Sequence, residues 1–134
     1  MKPELSFNDE YGVTIMRIPK DTGFSDKIDE KESGEFIVGL LELLDRGEHR
    51  YLLCNVSGSA NSRSSKEMRR WITKQGERMR LEKTAVVGAS SVMRMIAKVM
   101  VAAIGQSEKT RFFKTEGEAL RWFALSMVET EIRK

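Results

Sequence analysis

The segment Tyr51-Leu-Leu-Cys-Asn-Val56 decides the fold, because a short continuous apolar run is typical of a strand buried on both faces of a sheet. A second run of the same kind is Thr84-Ala-Val-Val-Gly88. Between them, Ser64-Ser-Lys-Glu67 has the spacing of a capping box, which satisfies the free amides at the start of a helix. Strand, helix and strand in this order predict two parallel strands joined by a right-handed crossover.

Towards the N-terminus, the pattern predicts one more helix and one more strand. Apolar residues recur at helical spacing before Gly47, which is expected to end that helix. The strand covers residues 11–18, places Val13 and Ile15 on one face, and stops at Pro19. We expect this strand to be the exception to the parallel arrangement, as an antiparallel edge strand. The apolar residues of the helix are Phe36, Ile37, Leu40, Leu41 and Leu44.

Towards the C-terminus, the pattern predicts two helices and a short strand. Ser90 or Ser91 can cap a helix that ends at Gly105, and residues 111–113 form the strand. A second capping box, Thr115-x-x-Glu118, opens the last helix. The whole order predicts an α/β fold with a four- to five-stranded, mostly parallel sheet and about four helices. The aromatic residues expected to be buried in the helices are Trp71, Trp122 and Phe123.

Length and composition limit the class of protein. The 134 residues suit one domain, residues 1–134, that needs neither disulfides nor a metal to fold. A single cysteine and an N-terminus unlike a signal peptide favour a reducing compartment, so we expect a cytoplasmic protein. The longest apolar stretch, residues 92–104, is too short to span a membrane and is interrupted by Arg94 and Lys98. The net charge of +3 permits an anionic partner, but it is too small to favour nucleic acid.

Residues that carry chemistry do not form a complete catalytic or metal-binding set in this sequence. His49 is the only histidine, and Cys54 lies in the middle of an apolar strand, where a thiol is usually inert. One His and one Cys cannot complete a zinc site without carboxylates that the sequence does not position. The turn Gly88-Ala-Ser-Ser91 lacks the glycine pattern of a phosphate-binding loop. The sequence therefore predicts no catalytic residue, no cofactor and no metal, and hence a non-enzymatic protein.

Two surfaces remain as candidates for binding. Basic residues recur every four positions in the helix after Ser64, either as an ordinary solvated face or as a docking surface for an acidic protein. The helix of residues 92–104 is rich in Met and small residues. It is interpreted as a buried helix, with an apolar ligand pocket or a homodimer contact as the alternatives. The basic residues are Lys66, Arg70, Lys74 and Arg78, with Arg63 close by in the sequence.

Phe113-Lys-Thr-Glu-Gly-Glu-Ala-Leu-Arg-Trp-Phe123 combines a short strand containing Phe, a polar cap, and an Ala and a Trp three apart at the start of a helix. This segment resembles the end of small bacterial proteins of the STAS-like, SpoIIAA-like group, and the resemblance extends over residues 51–123. It implies a STAS-like α/β sandwich and a regulatory module that binds partner kinases or anti-sigma factors. The related CRAL-TRIO architecture implies the alternative, a binder of a small apolar or lipid-like ligand beside the Met-rich helix.

The resemblance also singles out Ser64. The serine that is phosphorylated in the STAS group lies in an Asp-Ser-Ser-Gly turn, and Arg63-Ser-Ser-Lys66 occupies that position here. A phosphate on Ser64 would be stabilised by Arg63 and by the N-terminus of the helix. Because both flanking residues of the turn differ, and because a capping role explains Ser64, we expect a helix cap rather than a phosphorylation switch.

Overall fold

Five strands form one sheet: β1 (Glu4–Asn8), β2 (Val13–Arg17), β3 (Tyr51–Asn55), β4 (Lys83–Val87) and β5 (Thr110–Phe113). Their spatial order is the same as their order in the chain. β1 and β2 are antiparallel, whereas β2, β3, β4 and β5 are mutually parallel. This computed structural model describes residues 4–17, 30–57, 79–91, 94–95, 98–99, 102, 105 and 107–133. The prediction of a mostly parallel sheet of four to five strands is confirmed.

Two helices have defined bounds, α1 (Glu30–Arg46) and α2 (Glu116–Arg133). α1 ends one residue before Gly47, where the sequence predicts its end. α2 begins after Thr115, whose hydroxyl oxygen accepts a hydrogen bond from the Glu118 amide at 3.2 Å, as expected for a helix cap. Further helical residues occur between β4 and β5, at 91, 94–95, 98–99 and 102. None of the described helices combines the length and the hydropathy that crossing a bilayer requires.

The two helices cover opposite faces of the sheet. Because side chains alternate along each strand, successive residues of a strand face one helix and then the other. In β3, Leu52 and Cys54 face the core that contains Leu40 and Leu44 of α1. Tyr51 and Leu53 of the same strand face the core that contains Ala119 and Phe123 of α2. The apolar run at residues 51–56 is therefore explained by two covered faces, as predicted.

The position of the N-terminal strand differs from the prediction. The strand expected at an antiparallel edge is β2, which is parallel to β3 and lies inside the sheet. The antiparallel edge is β1, which the sequence analysis did not predict. A tight turn joins the two strands. The Gly12 amide donates to the Asn8 carbonyl at 2.8 Å, and Gly12 has a φ of 64°, which glycine adopts without strain.

The predicted aromatic core is described for two of its three members. Phe123 is fully buried against the α2 face of the sheet. Trp122 is only partly buried, because it lies where α2 meets β4 and β5, with Lys83 Nζ at 5.2 Å and the Arg111 guanidinium at 5.5 Å from its ring. Trp71 lies outside the described residues.

Candidate functional site

The carboxyl ends of the parallel strands bring four polar residues together. In a parallel α/β sheet, these ends all lie at one edge, and open α/β sheets bind ligands outside that edge. Arg17 ends β2 and Asn55 ends β3, and the two are paired in the register of the strands. Ser57 follows β3 by two residues, and Glu116 is the first residue of α2. We call these four residues the carboxyl-edge network.

Glu116 is the centre of this network. Its carboxylate accepts two hydrogen bonds from the Arg17 guanidinium, both at 2.8 Å, in the bidentate arrangement that arginine forms with carboxylates. It also accepts a hydrogen bond from the Asn55 side-chain amide at 2.6 Å. These contacts tie the start of α2 to the ends of β2 and β3, although Arg17 and Glu116 are 99 positions apart in sequence.

The contacts of the network keep both charges in place. The pKa of Glu116 is lowered, mainly by the hydrogen bond from Arg17, with a smaller contribution from Asn55 and with burial acting in the opposite direction. The pKa of Arg17 is raised, mainly by the same hydrogen bond. The side chains of Arg17 and Glu116 are 41% and 26% exposed. A binding partner can therefore reach a pair that stays ionised at neutral pH.

Ser57 connects the carboxyl-edge network to Gly88, which directly follows the neighbouring strand β4. The Ser57 amide donates to the Asn55 side-chain oxygen at 3.0 Å, and the Ser57 hydroxyl donates to the same oxygen. Gly88 has a φ of 77°, and a Cβ placed there would lie 2.8 Å from Ser57 Cβ and closer still to its hydroxyl. The Val56 amide donates to the Val87 carbonyl at 2.9 Å and the Gly88 amide donates to the Phe113 carbonyl at 3.0 Å, so hydrogen bonds join this edge from β3 to β5.

This arrangement suits recognition better than proton transfer. The Ser57 hydroxyl donates to an amide oxygen, which is not a base that could activate a nucleophile. Metal ligands are likewise not grouped here. In the part of the chain that the structure describes, no three His, Cys, Asp or Glu residues are close enough to hold an ion.

His49 and Cys54, the pair considered as a nucleophile and its base, are not brought together. Cys54 is buried on the α1 face, where burial raises the pKa of its thiol to about 12. His49 lies before the amino end of β3, and its Nδ1 is 2.9 Å from a carboxylate oxygen of Glu82. The His49 ring stacks on Tyr51, which faces α2. The thiol therefore has the inert, structural environment that the sequence indicated.

The serine and the basic residues that the sequence predicted as a regulatory site and a partner surface all lie outside the described residues. The chain enters that segment directly after Ser57, at the carboxyl edge. Sequence reasoning in turn missed the whole carboxyl-edge network. The signal that could have found it is positional, because Arg17 and Asn55 lie one residue before the ends of two predicted strands, and Glu116 directly follows the Thr115 cap of the last predicted helix. These predicted site residues are Arg63, Ser64, Lys66, Arg70, Lys74 and Arg78.

The fold and the edge network define a class, an α/β protein with helices on both faces of one mostly parallel sheet and polar residues at its carboxyl edge. The model of the SpoIIAA-like family matches residues 21–124, which is most of the chain. The protein therefore belongs to the SpoIIAA-like family, as the resemblance of its C-terminal half implied. No curated protein matches the sequence.

Proposed function

We propose that this protein is a cytoplasmic, non-enzymatic regulatory module, which binds a protein partner through its carboxyl edge. The observation that carries the proposal is the charged, solvent-accessible pair of Arg17 and Glu116, held in one geometry by Asn55. An ion pair with fixed geometry offers a partner both a donor and an acceptor without further ordering. Membership of the SpoIIAA-like family supports the regulatory assignment.

The sequence that follows the carboxyl edge favours an acidic partner. Residues 58–78 continue from Ser57 and contain a clear excess of basic side chains. Such a segment attracts an acidic surface, and the attraction weakens as salt rises because mobile ions screen exposed charges. The proposed contact residues are Arg63, Lys66, Arg70, Lys74 and Arg78.

Site-specific photo-crosslinking in cells of the source organism tests the docking edge. A crosslinking amino acid at position 57 should capture one discrete protein. The same amino acid at Glu82, an exposed position near the amino ends of the strands, is the matched control and should not capture it. Mass spectrometry would identify the captured protein. If position 57 gives no adduct, or if position 82 gives the same adduct equally well, the carboxyl edge is not the docking surface.

Two substitutions of Ser64 separate its two roles once the partner is known. As a helix cap, Ser64→Asp keeps the acceptor and places a negative charge at the helix N-terminus, so partner affinity should stay within about twofold. As a phosphorylation switch, the same substitution should change affinity more than about tenfold, or roughly 1.4 kcal/mol. We propose the cap. Isothermal titration of Ser64→Ala, Ser64→Asp and the unmodified protein decides between the roles.

A second function, binding of a small apolar or lipid-like ligand, rests on one observation. Met95 and Val99 lie one helical turn apart, and both are highly exposed. Apolar side chains at this spacing can cover an apolar ligand. Native mass spectrometry of protein purified without detergent tests this function. A retained adduct of lipid size that is lost in Met95→Asp would support it, and a bare protein mass would count against it.

A further inference from the structure

The outer face of α2 carries exposed apolar side chains. Leu125 and Val128 are 59% and 51% exposed, whereas Ala119 and Phe123 on the inner face are fully buried. Residues three and four apart lie side by side on a helix, so Leu125 and Val128 form one continuous patch. Such a patch is larger than a single scattered apolar residue, and it lies away from the carboxyl-edge network.

Two charges of opposite sign flank this patch. Arg121 lies four residues before Leu125 and Glu129 lies four residues after it, so all three lie along one side of the helix. Both charged residues are exposed. Within the described part of the chain, neither forms an ion pair. The patch therefore has a positive end and a negative end at equal distances from Leu125.

We propose that this face of α2 binds the same face of a second copy, with the two helices antiparallel and Leu125 on the two-fold axis. The antiparallel arrangement reverses the order of residues, so Arg121 lies opposite the partner's Glu129 and Glu129 lies opposite the partner's Arg121. Each charge is about 6 Å from the axis along the helix, because four residues rise by about 1.5 Å each. A parallel arrangement would place like charges together. Only the antiparallel one makes the face complementary to itself, as a two-fold interface requires.

The proposed dimer is independent of the proposed partner-binding function, because it uses a different surface. A contact between two single helices is smaller than the roughly 1,600 Å² buried in a stable complex. The association should therefore be weak and should depend on protein concentration.

Sedimentation equilibrium of the full chain, over a range from about 10 μM to about 1 mM, tests the dimer. The unmodified protein should self-associate in this range, and Leu125→Asp should weaken the association at least tenfold. Val38→Asp is the matched control, since Val38 is a comparably exposed apolar residue on α1. It should have no effect. A protein that stays monomeric, or an equal effect of both substitutions, would overturn the proposal.

Charge reversal tests the antiparallel register without removing an apolar side chain. Arg121→Glu and Glu129→Arg should each weaken the association several-fold, because each places like charges opposite each other. The double variant should recover the affinity of the unmodified protein to within about twofold, since it restores both ion pairs with their signs exchanged. A double variant as weak as either single variant would show that these residues do not face each other. Circular dichroism of each variant would check that it is folded.

Discussion

The two ends of the parallel strands are built with different chemistry. At the carboxyl edge, Arg17, Asn55 and Glu116 meet through directed hydrogen bonds. At the amino end of the same β3 strand, aromatic rings stack beside the polar contact of His49 with Glu82; the ring centres are 5.0 Å apart for His49 and Tyr51 and 5.1 Å apart for Tyr51 and Phe123. Ring stacks bury apolar area and hold the fold together, whereas a partly exposed polar network contributes less stability but presents specific groups. The difference separates an end of the sheet that stabilises the fold from the end at which we propose that a partner binds.

Lys83, a cation at the amino end, supports the aromatic contacts there. The Lys83 ammonium donates to the hydroxyl of buried Ser126 at 2.8 Å, and that hydroxyl in turn donates to the Trp122 carbonyl at 2.9 Å. Lys83 also lies 5.2 Å from the centre of the Trp122 ring. The attraction between a cation and an aromatic ring contributes about 0.5–2 kcal/mol, depending on exposure to solvent. Here a charge supports aromatic contacts within the fold, whereas at the carboxyl edge the charged pair is open to solvent.

The largest effect is expected from removing the aromatic ring that joins α2 to β3. Phe123→Ala should lower the free energy of unfolding by about 3–5 kcal/mol, because the ring is fully buried and its loss leaves a cavity. Val38→Ala, at an exposed apolar position of α1, is the control and should change it by less than about 0.5 kcal/mol. Urea denaturation measures both. A loss below about 1 kcal/mol for Phe123→Ala would mean that the aromatic end does not dominate stability.

A backbone substitution at the carboxyl edge should have the next largest effect. Gly88 and Gly105 both have positive φ, of 77° and 71°, so alanine at either position costs about 1–2 kcal/mol of strain. Among the described residues, a Cβ at Gly105 meets no atom within 4 Å, whereas at Gly88 it meets Ser57. Gly88→Ala should therefore cost roughly 1–3 kcal/mol more than Gly105→Ala, by the ordinary penalty of overpacking. Equal costs in urea denaturation would show that the contact with Ser57 relaxes freely.

The effect of removing the ion pair should be smaller and should depend on pH. The pKa of Glu116 is lower in the folded state, so its contribution is present above its ordinary pKa and is lost as pH falls through the lowered value. Glu116→Gln should lower the free energy of unfolding by about 1 kcal/mol near neutral pH. This figure already includes the weakening of the ion pair by the solvent around the exposed Arg17 side chain. The cost should vanish in acid.

Glu118→Gln is the matched control for the ion pair, because Glu118 also lies in the first turn of α2 but is exposed. It shares the favourable position near the helix N-terminus and lacks the contacts with Arg17 and Asn55. Thermal unfolding across a pH series measures how much each substitution lowers the melting temperature relative to the unmodified protein. This difference should change more with pH for Glu116→Gln than for Glu118→Gln. Identical profiles for the two variants would assign the effect to the helix N-terminus alone.

The sequence predicted the parts of the fold that depend on local patterns. Apolar runs predicted β3 and β4, and Thr115 and Gly47 predicted the start of α2 and the end of α1. β1 was missed, although Leu5 and Phe7 alternate with polar residues, because five residues with two apolar positions give a weak signal. The place of β2 inside the sheet could not be derived without β1, since both depend on which strands pair.

The carboxyl-edge network depends on the topology of the whole sheet. Asn55 and Glu116 are 61 positions apart, and no local pattern relates an asparagine at the end of one strand to a glutamate at the start of a distant helix. The parallel order of β2 and β3 and the position of α2 bring these residues together. A polar residue at the carboxyl end of each predicted parallel strand is the signal that would have suggested them, because ligand sites cluster at that edge.

The smallest effect on stability is expected for Ser57→Ala, at the residue where the carboxyl edge is most exposed. The substitution removes the hydroxyl hydrogen bond to Asn55, but the Ser57 amide still donates to the same oxygen. Since that oxygen keeps a partner, the change should stay within about 0.5 kcal/mol.

Asn55→Ala is the contrasting variant and should cost about 1–2 kcal/mol, because it removes a hydrogen bond to the Glu116 carboxylate and leaves the Ser57 amide without its acceptor. Chemical denaturation of both variants measures the two costs. If Ser57→Ala were as destabilising as Asn55→Ala, the hydroxyl would be a structural part of the fold, and the contrast between a stabilising end and a binding end of the sheet would not hold at this residue.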